Sequence, residues 1–317
     1  MKRKNSGVEI EVSETEKKVA YLGPPGTFTE EALRGMCQAY PNLAQATFIP
    51  LPTIADCLLA CGRKETDYAM VPMENSIEGS VNMTMDWLIH HVELLIQGEI
   101  ALLISHHALV HPVRKDSPLS EVETVLSHPQ AIAQCHQFIR RHCPGAKIKY
   151  TKSTAEAAEY VAGHPEEPLL AIGPGTAGQR YGLYDKAAHI EDYPNNYTRF
   201  VLVGHEPLSD KPVLTNGQQL EYKTTIQVTL KEDFPGALHQ VLSAFAWRRL
   251  NLTRIESRPT KKKLGSYFFI IDIGLGMDEA LIPGAIAEIE ALGCHVRLLG
   301  SYPCIIPAYA AMPSKTS

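Results

Sequence analysis

The sequence lacks any long run of apolar residues. No stretch approaches the roughly 18 apolar residues that suggest a membrane-spanning helix. The basic start of the chain, MKRKNSGVEIEVSETEKK, contains no apolar segment of the kind found in secretory signals. We therefore expect a cytoplasmic protein with no membrane partner, in which residues 1–18 are a disordered, charged lead-in.

The chain also lacks an excess of positive charge. It has 30 lysines and arginines against 35 aspartates and glutamates, for a net charge of -5 and a pI near 6.2. Binding of nucleic acid phosphates needs a clustered basic excess, and the single basic run, Lys261 to Lys263, is interpreted as a solvated loop. Nucleic acid is therefore not expected as a partner.

Cysteine pairs of the CxxC type are absent as well. The seven cysteines are an odd number and are interpreted as reduced, buried side chains. CHQFIRRHC, residues 135–143, holds two cysteines and two histidines, but its spacing matches no familiar zinc finger. Cys135 and His136 are adjacent on a predicted helix and should point in different directions, so no metal site is expected.

Short apolar runs alternate with helical segments from Lys18 onward. The predicted strands are KVAYLG, ATFIPL, YAMVPM, VETVL, KIKYT and LLAIG. The predicted helices between them are TEEALRGMCQAY, IADCLLACGRK, PQAIAQCHQFIRRH and AEAAEYVAG. This alternation predicts an α/β fold with a largely parallel sheet.

Three predicted helices begin with a hydroxyl residue that is followed three positions later by Glu or Gln. These pairs are Thr27 with Glu30, Ser127 with Gln130, and Ser153 with Glu156. Each fits a capping box, which stabilises a helix by about 1 kcal/mol. A second interpretation is that several helix N-termini at the carboxyl ends of strands converge on an anion. The spacing alone is compatible with both.

The composition of the sequence changes after residue 204. Residues 205–221 are predicted to be a linker, rich in Pro, Gly, Asn, Ser and Asp over 205–217. Residues 222–304 then follow the order βαββαβ, which is typical of a small split βαβ domain. We accordingly expect a first domain over residues 19–204, a second over 222–304 and a C-terminal tail over 305–317.

The stretch NNYTRFVLV, residues 195–203, places polar residues directly before a buried strand. Thr198 and Arg199 bring a hydroxyl and a fixed cation to the mouth of that strand, where α/β folds often bind ligands. Because neighbouring residues of a strand point to opposite faces, Thr198 and Arg199 should face opposite sides. Arg199 is therefore either a structural ion-pair partner or a substrate ligand.

The chain resembles a prephenate dehydratase with a C-terminal ACT regulatory domain, over residues 19 to about 304. The resemblance rests on GPPGTFTEEAL, VPMENSIEGSV, SHPQAIAQC and NNYTRF in the first domain, and on PGAL and NLTRIESRP in the second. It implies a catalytic region of two α/β lobes, like a type II periplasmic binding protein, and a ferredoxin-like ACT domain. It also implies conversion of prephenate to phenylpyruvate with loss of carbon dioxide and water, with no metal or organic cofactor.

The resemblance assigns the catalytic role to Thr198 of the TRF motif. A threonine hydroxyl is a weak acid, so we expect it to act as a positioned hydrogen-bond donor to the leaving hydroxide. The positions that the resemblance and the motifs assign to the substrate are Thr27, Phe28, Glu74, Asn75, Ser76, Ser127, Gln134 and Arg199. Glu74, Asn75 and Ser76 also fit a simple turn, whereas His106 and His107 receive no assignment.

In the ACT-like domain the resemblance implies an L-phenylalanine site at a subunit interface. The residues that it assigns are Gly236, Ala237, Leu238, Asn251, Leu252, Glu256, Ser257 and Arg258. The same residues also fit a helix start and a strand end with no ligand. We expect feedback inhibition by phenylalanine and self-association into a dimer or tetramer.

Two other functions compete with this one. An arogenate dehydratase would carry out the same elimination on the transaminated substrate, and a non-catalytic amino-acid sensor would keep both folds but only bind. The intact TRF motif argues against the sensor. A fused chorismate mutase is not expected, because about 18 residues before the first strand cannot form a helical domain.

Overall fold

The fold is described from a computed structural model, which covers residues 16–307 except 209, 216, 233, 261–266 and 278–279. The expected N-terminal lead-in and C-terminal tail lie outside the described residues, apart from 16–18 and 305–307. Lys18 already begins the first strand, and residues 305–307 still belong to the last strand. Both strands therefore extend slightly beyond the predicted domain limits.

The strands are, in chain order, β1 (Lys18–Leu22), β2 (Thr47–Leu51), β3 (Tyr68–Asn75), β4 (Gly79–Ser80), β5 (Leu95–Leu103), β6 (His107–Val110), β7 (Thr124–Ser127), β8 (Lys147–Tyr150), β9 (Leu169–Gly173), β10 (Tyr184–Ala187), β11 (Tyr197–Gly204), β12 (Gln218–Thr229), β13 (Leu252–Pro259), β14 (Tyr267–Ile273) and β15 (His295–Pro307). The α-helices are α1 (Phe28–Ala39), α2 (Ile54–Gly62), α3 (Asn82–His90), α4 (Pro129–Gln134), α5 (His136–His142), α6 (Thr154–Ala162), α7 (Gly175–Tyr181), α8 (Ala237–Ala246) and α9 (Leu281–Ala291).

Two sheets organise the first domain into two lobes. The first lobe contributes the strand order β5-β11-β3-β1-β2 to the large sheet, and the second lobe has the order β10-β6-β9-β7-β8. Both sheets are mixed rather than largely parallel. In the large sheet, β11 returns from the second lobe and enters between β3 and β5, antiparallel to both. In the sheet of the second lobe, β6 is antiparallel to β10 and to β9.

The second domain continues the large sheet. Its elements follow the predicted order βαββαβ, and its strands have the order β13-β14-β12-β15. β15 pairs in parallel with β5 of the first domain, with Cys304 opposite Glu99 and Ile305 opposite Ile100. The two domains therefore share one continuous sheet.

The apolar core is shared as well. On one face of the large sheet, Leu88 and Ile96 of the first domain belong to the same buried cluster as Ile270 and Tyr302 of the second. The other face is covered by α1, whose Leu33 and Met36 are fully buried. Burial of such side chains stabilises the fold by roughly 1.5–3 kcal/mol each, so part of this stability depends on contact between the domains.

The predicted helix over residues 129–142 is interrupted. Cys135 has a non-helical backbone (φ -117°, ψ 22°) and separates α4 from α5. The cause lies outside the helix, because the backbone N–H of Asp192 donates to the Gln134 carbonyl at 2.6 Å and the Asp192 carboxylate accepts from the N–H of Gln137. Cys135 and His136 therefore lie at a junction between two short helices.

Among the described residues, no helix is long and apolar enough to cross a membrane.

Candidate active site

A cavity of about 750 Å³ lies in the cleft between the two lobes. The first lobe contributes the loop after β1 and the end of β3, and the second lobe contributes the starts of α4 and α6. Contacts between the lobes also occur beside the cleft. Thr176 donates to Glu31 at 3.2 Å, and the Tyr181 hydroxyl donates to the Pro25 carbonyl at 3.3 Å. Burial raises the pKa of Glu31, which the hydrogen bond from Thr176 opposes.

The N-termini of α1, α4 and α6 line this cavity, and those of α1 and α6 have the predicted caps. Thr27 caps α1 by accepting from the Glu30 N–H at 3.5 Å, and Ser153 caps α6 by accepting from the Glu156 N–H at 3.0 Å. Thr27, Phe28 and Ser153 all line the cavity. Helix N-termini attract anions through their free N–H groups and positive dipole ends. The two predicted caps are thus confirmed, and their helices converge on one cleft.

The third predicted cap is wrong. Ser127 belongs to the end of β7, is fully buried and donates to the Ile172 carbonyl at 2.6 Å. His128 caps α4 instead, because its Nδ1 accepts from the Gln130 N–H at 3.3 Å and Pro129 occupies the first helical position. Ser127 does not line the cavity, whereas His128 and Gln130 do.

Thr198 and Asn75 face each other across β11 and β3 at the cavity wall. They are cross-strand partners, and the Asn75 Nδ2 donates to the Thr198 Oγ1 at 2.9 Å. Both line the cavity, although each is only 8% exposed. Because Thr198 accepts from Asn75, its own O–H proton is free to point elsewhere.

The next pair along the same strands, Arg199 with Glu74, faces away from the cavity. A register shift between Arg199 and Phe200 marks a bulge on β3 at this point, and such bulges re-aim side chains. The Arg199 guanidinium donates to Glu74 at 2.5 Å, to Glu99 at 2.6 Å and to Asp272 at 3.1 Å. The side chain thus adopts the ion-pair arrangement, and the described contacts place it outside the cleft.

This charge cluster extends into the second domain. Lys223 donates to the other Glu99 oxygen at 2.6 Å, and the Thr225 hydroxyl donates to Asp272 at 2.8 Å. Burial alone would raise the pKa of Glu99, but the Arg199 and Lys223 charges and hydrogen bonds lower it to about 2. Burial alone would likewise lower the pKa of Arg199, and Glu99 with Asp272 raises it well above its ordinary value. Glu99 and Arg199 are therefore both charged at neutral pH.

The cavity brings together five of the nine predicted catalytic and substrate positions: Thr27, Phe28, Asn75, Gln134 and Thr198. The side chains of Glu74 and Arg199 bind each other on the opposite face. Ser76 lies in a turn beside the cleft, where its hydroxyl donates to the Asn195 carbonyl at 3.3 Å and accepts from the Tyr197 N–H at 2.9 Å.

Several residues that line the cavity were not predicted from the sequence motifs. Lys152, the only lysine or arginine among the described residues that line the cavity, follows a strand and precedes the Ser153 cap. Asn196 stands two residues before Thr198 on the same side of the chain, and this spacing could have identified it. His106, in an SHH sequence, gave no pattern of its own.

The described residues contain no group of three or more His, Cys, Asp or Glu side chains arranged to hold a metal ion. All seven cysteines lie in the described part of the chain and are free. Burial raises the pKa of Cys135 well above its ordinary value and that of Cys143 to about 11. Thiols in such surroundings are protonated and unreactive at neutral pH.

The predicted effector residues fall into two separate groups within one chain. Gly236 adopts φ 96° immediately before α8, a conformation that favours glycine. Ala237 lines a small cavity of about 200 Å³, and Leu238 packs on the core of the second domain. No described residue of β13 lines that cavity.

The second group lies on and beside β13. Glu256 accepts from Ser80 at 2.8 Å, and Arg258 donates to Asp86 at 2.6 Å, so both contact the first domain. Ser257 is exposed. Leu252 packs on the core of the second domain, and the Asn251 carbonyl accepts from Gly274 at 2.9 Å.

Comparison with known proteins agrees with these features. The family model described as Prephenate dehydratase matches residues 19–208, and the model described as ACT domain matches residues 224–293. The prephenate dehydratase of Bacillus subtilis is 46% identical over 295 residues, which cover 90% of this chain and 98% of that protein.

Solved structures agree in fold. The prephenate dehydratase of Arthrobacter aurescens, determined in complex with L-Phe, is 35% identical with a TM-score of 0.76, over 93% of this chain and 92% of that one. A structure described as GqqA, a novel type of quorum quenching acylase, is 26% identical with a TM-score of 0.75, over 91% and 98% of the two chains. On the matching family model and the Bacillus subtilis relative, the chain belongs to the prephenate dehydratase family, and an ACT domain follows its catalytic domain.

Proposed function

We propose that the protein converts prephenate to phenylpyruvate and that the Thr198 hydroxyl assists the departing hydroxyl group. The observation that carries the proposal is the Thr198–Asn75 pair in the cleft. Asn75 occupies a lone pair of the Thr198 oxygen at 2.9 Å and leaves the O–H free as a donor. A hydrogen bond aimed at the developing negative charge stabilises the transition state.

The reaction needs little more than such a donor. The ring carboxylate leaves as carbon dioxide, and its bonding electrons enter the ring as the C–O bond to the hydroxyl breaks. The ring becomes aromatic, which supplies the driving force, and the departing hydroxide takes up a proton from solvent to become water. A donor beside that oxygen lowers the barrier without any covalent intermediate.

The charge of prephenate fits the lining of the cleft. Prephenate carries two carboxylates, and the cleft presents the N-termini of α1 and α6 together with Lys152. These groups supply free backbone N–H donors and one cation. We place the two carboxylates there, so that the ring hydroxyl faces Thr198. Glu156 and Glu159, which also line the cavity, disfavour a ligand that carries more negative charge than prephenate.

L-phenylalanine is the proposed effector of the ACT domain. The structure of the Arthrobacter aurescens relative was determined with L-Phe bound. In the protein described here, the segments Gly236 to Leu238 and Asn251 to Arg258 lie apart within one chain. We propose that phenylalanine binds where Gly236 to Leu238 of one subunit meet Asn251 to Arg258 of another. Self-association is thus part of this proposal, as is the cytoplasmic location of the enzyme.

The test is steady-state formation of phenylpyruvate from prephenate by the purified protein, beside a matched arogenate assay and with phenylalanine added to each. We expect turnover of prephenate, inhibited by phenylalanine. Preferential turnover of arogenate would replace the proposed substrate. Folded protein that binds phenylalanine but turns over neither compound would be a sensor and would contradict the enzyme proposal.

A further inference from the structure

A chain of buried polar side chains runs from His106 in the second lobe to Thr198 in the first. The His106 Nε2 lies 3.0 Å from the Gln134 Oε1, and the Asn196 Nδ2 lies 3.0 Å from that same oxygen. The Asn75 Nδ2 then lies 2.7 Å from the Asn196 Oδ1 and 2.9 Å from the Thr198 Oγ1. All five side chains are at least nine-tenths buried.

Two backbone amides set the direction of every hydrogen bond in this chain. The N–H groups of Ile77 and Glu78 donate to the Asn75 Oδ1 at 3.0 and 3.1 Å. A backbone N–H is always a donor, so the Asn75 atom that they face must be its oxygen. The opposite atom of Asn75 is therefore the NH₂ group, which donates both to Asn196 and to Thr198.

The same reasoning assigns the remaining hydrogen bonds, from Asn196 to His106. Because Asn75 donates to it, the facing atom of Asn196 is its oxygen, and the NH₂ group of Asn196 donates to Gln134. The facing atom of Gln134 is then an oxygen as well, and it accepts a second hydrogen bond from His106. The proton of His106 must accordingly reside on Nε2, which leaves Nδ1 with a lone pair.

The surroundings of His106 agree with a neutral ring in a single orientation. The ring meets that of Phe28 edge to face, with 5.6 Å between the centroids, and the backbone N–H of His106 donates to Glu191 at 2.8 Å. Burial lowers the pKa of His106, so the ring is neutral at neutral pH. Its buried Nδ1 has no hydrogen-bond partner among the described residues.

We infer that His106 and Asn196 are positioning residues for the reaction, which orient the Thr198 hydroxyl through Gln134 and Asn75. With Nε2–H fixed at one end and two backbone amides fixed near the other, none of the three amide side chains can rotate without losing a buried hydrogen bond. Asn75 is then held as a donor to Thr198, whose O–H proton points to the cleft. This inference rests on the proposed function of Thr198.

This chain of hydrogen-bonded side chains also connects the two lobes. His106 and Gln134 belong to the second lobe, whereas Asn75 and Thr198 belong to the first, and Asn196 lies just before the strand that returns between them. The orientation of the Thr198 hydroxyl therefore depends on the placement of the second lobe. A misplacement of about 1 Å at a reacting group can lower a rate by about 100-fold.

Replacement of His106 tests the inference. His106→Leu removes the terminal donor, and we expect kcat for prephenate to fall by about 10- to 100-fold while KM changes by less than about 3-fold. His106→Gln carries an amide N–H near the position of Nε2 and should recover kcat to within about 3-fold of wild type. His107→Leu is the matched control, since the His107 ring binds Asp185 at 2.5 Å and forms no part of the hydrogen-bond chain. It should retain wild-type kcat.

Thermal melting of each variant verifies that it is folded before its kinetics are interpreted. The inference is overturned if folded His106→Leu keeps its kcat. It is also overturned if kcat fails to recover in folded His106→Gln, because the loss would then reflect ring packing rather than the donated proton.

A readout that does not depend on turnover separates this inference from the proposed function. In a proton–nitrogen correlation spectrum of wild type, the His106 ring, assigned by its disappearance in His106→Gln, should carry its proton on Nε2. A proton on Nδ1 would contradict the donor and acceptor roles assigned to the hydrogen bonds between His106 and Thr198. If wild type has the Nε2–H form but does not turn over prephenate, the proposed function fails and the hydrogen-bond chain stands.

Discussion

Arg199 of β11 lies 3.1 Å from Asp272 of β14, so the residue that follows Thr198 forms an ion pair with the second domain. The same guanidinium also binds Glu74, the residue that precedes Asn75. The pair that lines the cleft, Thr198 with Asn75, and the pair that contacts the charge cluster, Arg199 with Glu74, are adjacent rungs of one ladder. A shift of the second domain would therefore act on the backbone that carries Thr198 and Asn75.

This relationship predicts that Asp272→Asn weakens the response to phenylalanine. Asn keeps the shape and can still accept from Thr225, but it removes the charge that links the second domain to Arg199. Allosteric coupling is typically 5- to 150-fold in affinity. We expect phenylalanine to bind the variant, and its maximal inhibition of prephenate turnover to fall at least about 5-fold. Calorimetry and steady-state kinetics measure the two quantities.

Glu288→Gln is the matched control for this experiment. It breaks the Arg248–Glu288 ion pair, which is 2.5 Å long and lies within the second domain without contacting Arg199. The response to phenylalanine should remain intact in this variant. Full inhibition of a folded Asp272→Asn protein would show that the coupling does not pass through this ion pair.

The depressed pKa of Glu99 predicts a loss of stability in acid. A carboxylate with a folded pKa of about 2 and an ordinary value of 4.5 stabilises the fold above pH 4.5, and this contribution is lost as the pH falls toward 2. The difference corresponds to about 3 kcal/mol for this group. Urea denaturation between pH 7 and pH 2 measures it. Glu99→Gln should be less stable at pH 7 and should show a weaker dependence on pH in this window, and an unchanged dependence would contradict the assignment.

Gly300 allows β15 to approach β5 closely. A Cβ atom at this position would lie 2.4 Å from the Ile96 carbonyl oxygen, which is backbone and cannot rotate away. Gly300→Ala should therefore destabilise the junction of the domains by about 1–3 kcal/mol, the usual cost of overpacking. Gly145→Ala is the control, since its Cβ would meet nothing within 4 Å. Equal melting temperatures of the two variants would contradict this account of the junction.

The sequence predicted the features that depend on nearby residues. The caps at Thr27 and Ser153 follow from a hydroxyl and a carboxylate three positions apart, and the βαββαβ order follows from strand and helix periodicities. The opposite orientations of Thr198 and Arg199 follow from strand alternation alone. These features need no knowledge of which elements become neighbours.

Features that depend on distant residues were missed or wrong. Helices α4 and α5 were predicted as one because Asp192, which interrupts them, is about 55 positions away in sequence. Asp272 as a partner of Arg199 and Gln134 as a partner of His106 require the tertiary fold. The assignment of Ser127 as a cap is instead a local error, because Pro129 occupies the first helical position and the cap is therefore His128.

The most direct test of the central claim is kcat for prephenate in Thr198→Val, compared with wild type and Thr198→Ser. Valine keeps the shape but lacks the donor, and loss of one such donor costs about 100- to 1000-fold in kcat. We predict this loss with KM nearly unchanged, and a kcat within about 10-fold of wild type for serine, which retains the hydroxyl. A folded Thr198→Val protein that turns over prephenate at the wild-type rate would contradict the assignment of Thr198 as the donor.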